Sequence, residues 1–368
     1  MIARHDFLRT WAVAVGAVLT GIAPAGDAAR AQTTSPAVAV AVSIRIDASQ
    51  IRAQLPPAWR FFGHDEPNYT YMKDGKALLS ELAGLGRETV FIRTHNLLTS
   101  GDGTPALKWG STNAYTEDDQ GRPHYDWTIV DRIFDTYMER GLKPYVQIGF
   151  MPQALSTRPE PYQHHWSPRG GGPLATGWAY PPKDYARWGE LVYQWAAHCV
   201  ARYGRAEVEG WYWEVWNEPN IFYWRGTPEQ FNTLYDHAAA AVKRALPTAR
   251  VGGPEIAGPR TPEAAAFLRN FLEHCLRGTN SATGKLGAPL DFISFHAKGS
   301  PHMASGHVQM GISAQLQDID RGFEVVASFP ELKGRPIVIG ESDPDGCAAC
   351  PATVFPQNGY RNGTLYAS

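Results

Sequence analysis

The 368-residue sequence lacks any apolar run long enough to span a bilayer, since a transmembrane helix needs about 20 consecutive apolar residues. The nearest candidate, from Trp11 to about Ala23, falls short, so stable membrane insertion is not expected. No long basic run is present either, and 34 Lys and Arg against 36 Asp and Glu give a formal net charge of −2. That balance argues against a nucleic-acid partner, which calls for a concentrated positive surface. Cysteine is scarce, with Cys199, Cys275, Cys347 and Cys350 only. Cys347 and Cys350 are spaced as a loop disulfide, a redox pair or half a metal site, but no second ligand pair stands at zinc spacing. Cys199, in a stretch rich in Ala and Trp, reads as a small core residue. No short internal repeat is present, and nothing in the sequence signals an oligomeric state.

The N-terminus reads as an export signal over residues 1–31. Arg4 and Arg9 precede the apolar stretch, and Ala29-Arg30-Ala31 offers a small-x-small cleavage site before Gln32. The product is expected in the periplasm or outside the cell, where a Cys347–Cys350 disulfide competes evenly with two free thiols. There is no Arg-Arg pair for a twin-arginine route.

What the chain does have is aromatic residues, including 12 Trp and 16 Tyr, and one run of them is informative. Trp211-Tyr212-Trp213-Glu214-Val215-Trp216-Asn217-Glu218-Pro219-Asn220 favours a pleated strand until Pro219, which cannot donate to a ladder. The strand is therefore expected to end at Glu218, with its carboxyl at the C-terminal rim, where β/α barrels keep their chemistry. Strict alternation puts Glu214 on the same face, and its mid-strand position suits a partner for a buried Arg or His. A second carboxylate is delivered the same way downstream. Pro336-Ile337-Val338-Ile339-Gly340-Glu341 is an apolar run that suits a strand buried on both faces, followed by Ser342-Asp343-Pro344. Glycoside hydrolysis uses such a pair, one carboxyl protonating the leaving oxygen while the other attacks the sugar or activates water.

These segments, together with Phe61-Phe62-Gly63-His64-Asp65-Glu66-Pro67-Asn68, Ile92-Arg93-Thr94-His95-Asn96-Leu97-Leu98 and Phe295-His296-Ala297-Lys298-Gly299, resemble glycoside hydrolase family 39. That is the β-xylosidase and α-L-iduronidase family of the retaining barrel clan, and the likeness runs from about Phe61 to the C-terminus. The resemblance implies that Glu218 is the acid/base and Glu341 the nucleophile. It implies that Asn217 binds the hydroxyl next to the reacting carbon, and that His296 and Lys298 divide between the nucleophile and the distal side of the sugar. His95 and Asn96 end the second strand, where a His meets either a sugar hydroxyl or a core partner. Asp65 and Glu66 are rim residues placed to touch sugar hydroxyls. His64, Asp65 and Glu66 do not suit a metal site, because adjacent strand positions point opposite ways. No metal or cofactor is expected. His164, His165 and His302 read as loop residues.

The fold expected is a (β/α)8 TIM barrel cut after its seventh strand, with strands at Trp59–Gly63, Thr89–Thr94, Pro144–Gly149, Glu209–Asn217, Arg250–Gly253, Phe292–His296 and Ile337–Gly340. Helical patterns between them include Trp127–Arg140, Asp184–Arg202, Pro228–Leu246, Pro262–Arg277 and Ile312–Ser328. Thr227-Pro228 and Thr261-Pro262 have the form of helix starts. The catalytic barrel is assigned to 58–368, and residues 32–57 form an N-terminal segment whose Val38–Ile46 alternation suits a strand of an accessory β-sandwich. A seventh helix is expected to begin near Tyr360, with no eighth strand after it, so the chain reads as a fragment of a gene that continues in frame.

Double displacement with net retention is expected, with the two carboxyls about 5–5.5 Å apart rather than the ~6.5–9.5 Å of inverting enzymes. The substrate expected is a plant-type oligosaccharide, first a β-xyloside, with α-L-arabinoside as a side activity. His-Ala-Lys-Gly leaves a uronate as the alternative, because Lys298 can meet a carboxylate that a neutral pentose lacks. A non-catalytic sugar-binding remnant is the alternative from another class.

Overall fold

A computed structural model of the chain describes residues 43–51, 53–54, 57–103, 110–160 and 177–346. The export signal, residues 38–42 of the expected N-terminal strand, His164 and His165, Cys347 and Cys350, and the helix expected near Tyr360 lie outside the described residues. The chain divides into two compact units, Met1–Leu55 and Pro56–Ser368. In the first, residues 43–46 form no strand, contrary to the alternation, and Asp47 closes a turn by accepting from the Ser49 N–H and hydroxyl. Alternation makes a strand only where a neighbour takes the backbone hydrogen bonds, and no such neighbour pairs with 43–46 among the described residues.

The second unit is a seven-stranded, all-parallel sheet with its strands in sequence order: β1 Phe61–His64, β2 Phe91–Thr94, β3 Lys143–Ile148, β4 Tyr212–Val215, β5 Arg250–Ile256, β6 Phe292–Lys298 and β7 Ile337–Asp343. Between them run α1 Lys73–Ala83, α2 Thr128–Met138, α3 Tyr185–Tyr203, α4 Pro228–Ala245, α5 Pro262–Arg277 and α6 Ile312–Ala327. This is a nearly closed barrel: β1 and β7 approach each other without ladder pairing among the described residues. The seven expected barrel strands all form. No helix of the described residues is long and apolar enough to cross a membrane.

The caps act as the sequence implies. Thr227 forms a capping box with Gln230 at the start of α4, Thr261 accepts from the Ala264 N–H at α5, and Asp184 accepts from Ala186 and Arg187 at α3. Each satisfies donors that a helix start leaves open.

Period-2 alternation sorts the strand residues between barrel interior and helices. Phe91, Tyr145, Tyr212, Phe292 and Val338 pack together with Phe61 as an apolar floor inside the barrel, while Ile92, Trp213 and Val215 face the helices in the main core. Trp178, Trp188, Trp195, Trp211, Trp213 and Trp216 are fully buried and Trp224 nearly so, so seven of the twelve tryptophans belong to the core. Cys199 and Cys275 are free, buried thiols. One layer above the floor the interior turns polar, with Arg93 on β2 and Glu214 on β4.

Candidate active site

The polar layer is built where the strands stop being regular. β4 ends at Val215, three residues before the expected end, because Trp216 (φ 74°) and Glu218 (φ 45°) adopt a left-handed backbone that non-glycine residues rarely take. The surroundings fix this shape. The Trp216 N–H donates to Ile148 O at 3.0 Å, its Nε1 donates to Tyr223 O at 3.0 Å, and the Glu218 N–H donates to Glu255 O at 2.9 Å. Glu218 therefore reaches the rim from a strained turn, not from strand alternation. On β5 the pairing with β6 shifts between Pro254 and Ile256, so Glu255 (φ 57°) is an extra, bulged residue. On β7 the register shifts between Ile339 and Ser342, across Gly340 and Glu341. Bulges of this kind re-aim side chains and are common beside active sites.

Glu341 is held by four nitrogens. Its Oε1 lies 2.9 Å from Arg93 Nη1 and 3.0 Å from His95 Nε2, and its Oε2 lies 2.6 Å from Lys298 Nζ and 3.6 Å from His296 Nδ1. Glu218 Oε1 lies 2.7 Å from His296 Nδ1. Carboxyl oxygens of Glu218 and Glu341 come within 4.8 Å of each other, with His296 between them. Asp65 Oδ1 stands 3.6 Å from His95 Nδ1.

The buried Arg93 guanidinium ties the site to the layer beneath it. Nε donates to Glu214 Oε2 at 2.6 Å, Nη1 to Glu341 Oε1, and Nη2 to Asn217 Oδ1 at 2.8 Å. Asn217 is thus held with its oxygen toward Arg93, which presents its amide NH2 as a donor. Glu214 is also reached by the Tyr145 hydroxyl at 2.7 Å.

Burial alone would raise the Glu341 pKa, but the positive charges of His296 and Lys298 and the hydrogen bond from His95 hold it well below the usual carboxylate range. It is therefore ionised at any working pH, as an attacking carboxylate must be. Burial opposes a charged His296, yet Glu341, Glu255 and Glu218 together hold its pKa at about 10, so it is an imidazolium. Glu255 and Glu214 divide a single proton. Burial pushes Glu214 well above its ordinary range despite Arg93, whereas His296 and Arg93 outweigh burial at Glu255 and hold it at about 2. Tyr223, stacked on Phe150 with ring centroids 5.7 Å apart, has its pKa raised by burial and then by the charges of Glu218, Asp65 and Glu341.

Of the residues singled out in the sequence, Glu218, Glu341, His95, His296, Lys298 and Asp65 converge on one site, and Asn217 adjoins them through Arg93. Asn96 (φ 61°) is used within its own loop: Nδ2 donates to Asp65 O at 3.3 Å, and Oδ1 accepts from Thr99 Oγ1 at 3.0 Å. Glu66 opens the short helical turn Pro67–Tyr69. Lys298 also meets Asp343 Oδ2 at 3.0 Å. His302 sits on an exposed two-stranded turn, Nδ1 against Ser300 O. Sequence reasoning passed over Arg93, Glu255 and Tyr223. Arg93 was legible as an inward position two residues before His95 on one strand, but Glu255 carries no such signal because it depends on the bulge. Two triads, Asp65–His95–Glu341 and Glu218–His296–Glu341, bring ligand-type atoms within 4.8 Å of one another. Arg93 and Lys298 already answer the Glu341 charge in both. A surface groove of about 830 Å³ lies elsewhere, lined by Asn232, Arg269, His274 and Arg277 of α4 and α5, and brings together no comparable pair of carboxylates.

The sequence profile of glycosyl hydrolases family 39 matches residues 42–367. The chain is 36% identical over 180 residues to a β-xylosidase of Caldicellulosiruptor saccharolyticus, covering 48% of this chain and 32% of that protein. It is 35% identical over 315 residues to an α-L-iduronidase of Canis lupus familiaris, covering 82% of this chain and 41% of that protein. Among solved structures, a monomeric β-xylosidase from Caulobacter crescentus superposes with a TM-score of 0.57 at 28% identity, over 78% of this chain and 52% of that one. The chain spans between about a third and a half of the length of these relatives.

Proposed function

The chain belongs to glycosyl hydrolases family 39, and we propose that it hydrolyses O-glycosidic bonds with retention of configuration, β-xylosides first. The observation that carries this reading is the approach of Glu218 and Glu341 oxygens to within 4.8 Å, across a site in which cations keep Glu341 ionised. That approach suits the retaining geometry of ~5–5.5 Å better than the ~6.5–9.5 Å of inverting enzymes. Glu341 attacks the anomeric carbon while Glu218 gives its proton to the leaving oxygen. Water then enters, Glu218 takes one of its protons, and the glycosyl ester on Glu341 is broken. Asn217, oriented by Arg93, donates to the hydroxyl beside the reacting carbon, a bond that strengthens as charge develops there. His95 and Asp65 are assigned to sugar hydroxyls. Likeness to β-xylosidases supports the xyloside preference, with α-L-arabinosides as a side activity. The Arg4–Ala31 segment supports export to the periplasm or beyond.

A uronide is the second reading, favoured by Lys298 and by the likeness to α-L-iduronidases over most of the chain. Against it, the Lys298 ammonium already faces both Glu341 and Asp343, so a substrate carboxylate has to compete with Asp343. Hydrolysis of aryl β-D-xyloside, α-L-arabinoside and α-L-iduronide, with the first-formed anomer read by NMR, tests both. Retention is expected, with a loss of at least about 10³-fold in Glu341→Ala. Net inversion, or substantial activity in Glu341→Ala, refutes the mechanism. Glycan binding with no turnover points instead to a sugar-binding remnant.

A further inference from the structure

Glu255 is a fully buried carboxylate that double displacement does not require. It is the extra residue of the β5 bulge and has a left-handed backbone, the kind of strain that persists only where the surroundings over-determine it. Space is kept for its side chain: a Cβ on Gly340 would lie 1.5 Å from Glu255 Oε1. Neither Glu255 oxygen, nor the His296 Nε2 that faces them, is in an aligned hydrogen bond. Instead Oε1 lies 2.8 Å from His296 Nε2 and 3.7 Å from Arg93 Nε. The other nitrogen of the same imidazole, Nδ1, is 2.7 Å from Glu218 Oε1, and the Glu255 carbonyl takes the Glu218 N–H at 2.9 Å. One residue thus touches the proton donor by two routes, through its backbone and through an imidazole.

We propose that Glu255 is a positioning residue: its carboxylate, 2.8 Å from Nε2 of His296, pairs with that ring as an ion and keeps it doubly protonated, and so aims Nδ1–H at Glu218 Oε1. This rests on the reading of Glu218 as the acid/base. With Oε1 occupied as an acceptor, the transferable proton of Glu218 sits on Oε2. When that proton passes to the leaving oxygen and the glycosidic C–O bond breaks, Glu218 is left as a carboxylate whose charge the His296 Nδ1–H already meets. In the second step Glu218 takes a proton from water and returns to its first state, and His296 keeps both of its protons throughout. A neutral His296 with its proton on Nε2 turns a lone pair toward the new carboxylate, which opposes the proton transfer. Besides Glu218, Glu255 and Glu341, the charged and titratable groups that reach these carboxylates are Glu214 on β4 and Arg93 on β2, at Glu255, and Lys298 on β6, at Glu341. The carboxylates outweigh burial and favour the imidazolium.

The experiment uses the full chain with ¹⁵N-labelled histidine, and aryl β-D-xylosides of two leaving groups, phenyl and 2,4-dinitrophenyl. The phenyl glycoside needs the proton from Glu218 and the dinitrophenyl glycoside does not. In the parent, His296 is expected to show two protonated nitrogens up to pH 8, and in Glu255→Gln to be neutral by pH 8. Turnover of the phenyl xyloside should fall about 10-fold or more in Glu255→Gln, a fraction of the 10²–10⁴ that general-acid catalysis supplies, with under about threefold change for the dinitrophenyl substrate. A neutral His296 in the parent at pH 8 overturns the proposal whether or not the variant folds. So does a Glu255→Gln protein with the parent's imidazolium or the parent's leaving-group dependence. If the parent turns over neither xyloside, the reading of Glu218 fails, while the histidine spectra still decide whether Glu255 sets the state of His296.

Discussion

Replacing Arg93 by Met should cost about 3 kcal/mol of stability, the low end of the 3–5 kcal/mol typical for removing one partner of a buried ion pair. Three acceptors lose their donor at once: Glu214 Oε2, Glu341 Oε1 and Asn217 Oδ1, at 2.6, 2.9 and 2.8 Å. The side chain is only 4% exposed, so water does not take its place. Two features keep the loss near the lower bound. Glu214 already holds a proton, because burial raises its pKa, and so leaves no unpaired charge, and Glu341 retains Lys298 and His296. For the Pro56–Ser368 unit, about 3 kcal/mol corresponds to a fall in Tm of roughly 5 °C at ~2.1 cal/mol/K of unfolding entropy per residue. Arg93→Lys keeps the charge but not the planar fork, and one ammonium cannot reach all three acceptors, so an intermediate loss of about 1–2 kcal/mol is expected. Urea unfolding of the parent and both variants at pH 7, with refolding checked, measures these differences. A Met variant within about 1 kcal/mol of the parent, or a Lys variant as damaged as the Met one, refutes the account of Arg93 as the cation that holds the mid-barrel acids.

Gly340→Ala puts a methyl 1.5 Å from Glu255 Oε1, so the carboxylate must move; a loss of about 1–3 kcal/mol is expected from overpacking, and Gly340→Ala with parental thermal stability contradicts the packing described. His296 supplies a pH dependence: its folded pKa is about 10 against about 6.5 in an unfolded chain, because the carboxylates outweigh burial. Its contribution is fully present below about pH 6.5 and lost as pH rises through 10, up to roughly 4–5 kcal/mol shared with those carboxylates. The urea midpoint should fall across that window in the parent, and an equal fall in His296→Gln assigns the effect to other groups.

The regular parts of the barrel were legible because they obey one period. Tyr212 and Glu214 face inward and Trp213 and Val215 outward, as alternation requires, and Glu214 has the buried Arg partner that its mid-strand position implied. Helix starts at Thr227 and Thr261 were legible through local capping chemistry. Helix α1 was not, since Gly75 lowers its helical signal. The structure shows why glycine stands there: a Cβ at Gly75 would lie 2.0 Å from the Tyr69 carbonyl oxygen, a tertiary contact invisible to a local reading.

The site residues escaped the same rules for a single physical reason. Glu218, Glu255 and Glu341 all sit where alternation breaks, at a left-handed turn, a bulge and a register shift. A carboxylate delivered by unbroken alternation would end like Glu214, inside the barrel and tied to a fixed cation. To face a sugar, an acid has to leave the ladder, and its new backbone geometry must be held by something outside its own strand. For Glu218 that support is the Glu255 carbonyl on β5 and the His296 ring on β6. Such pairing between neighbouring strands is fixed by register and not by spacing within either strand. Glu218 and Glu341 were therefore readable as residue types at strand ends, while Glu255 and the other neighbours that aim them were not.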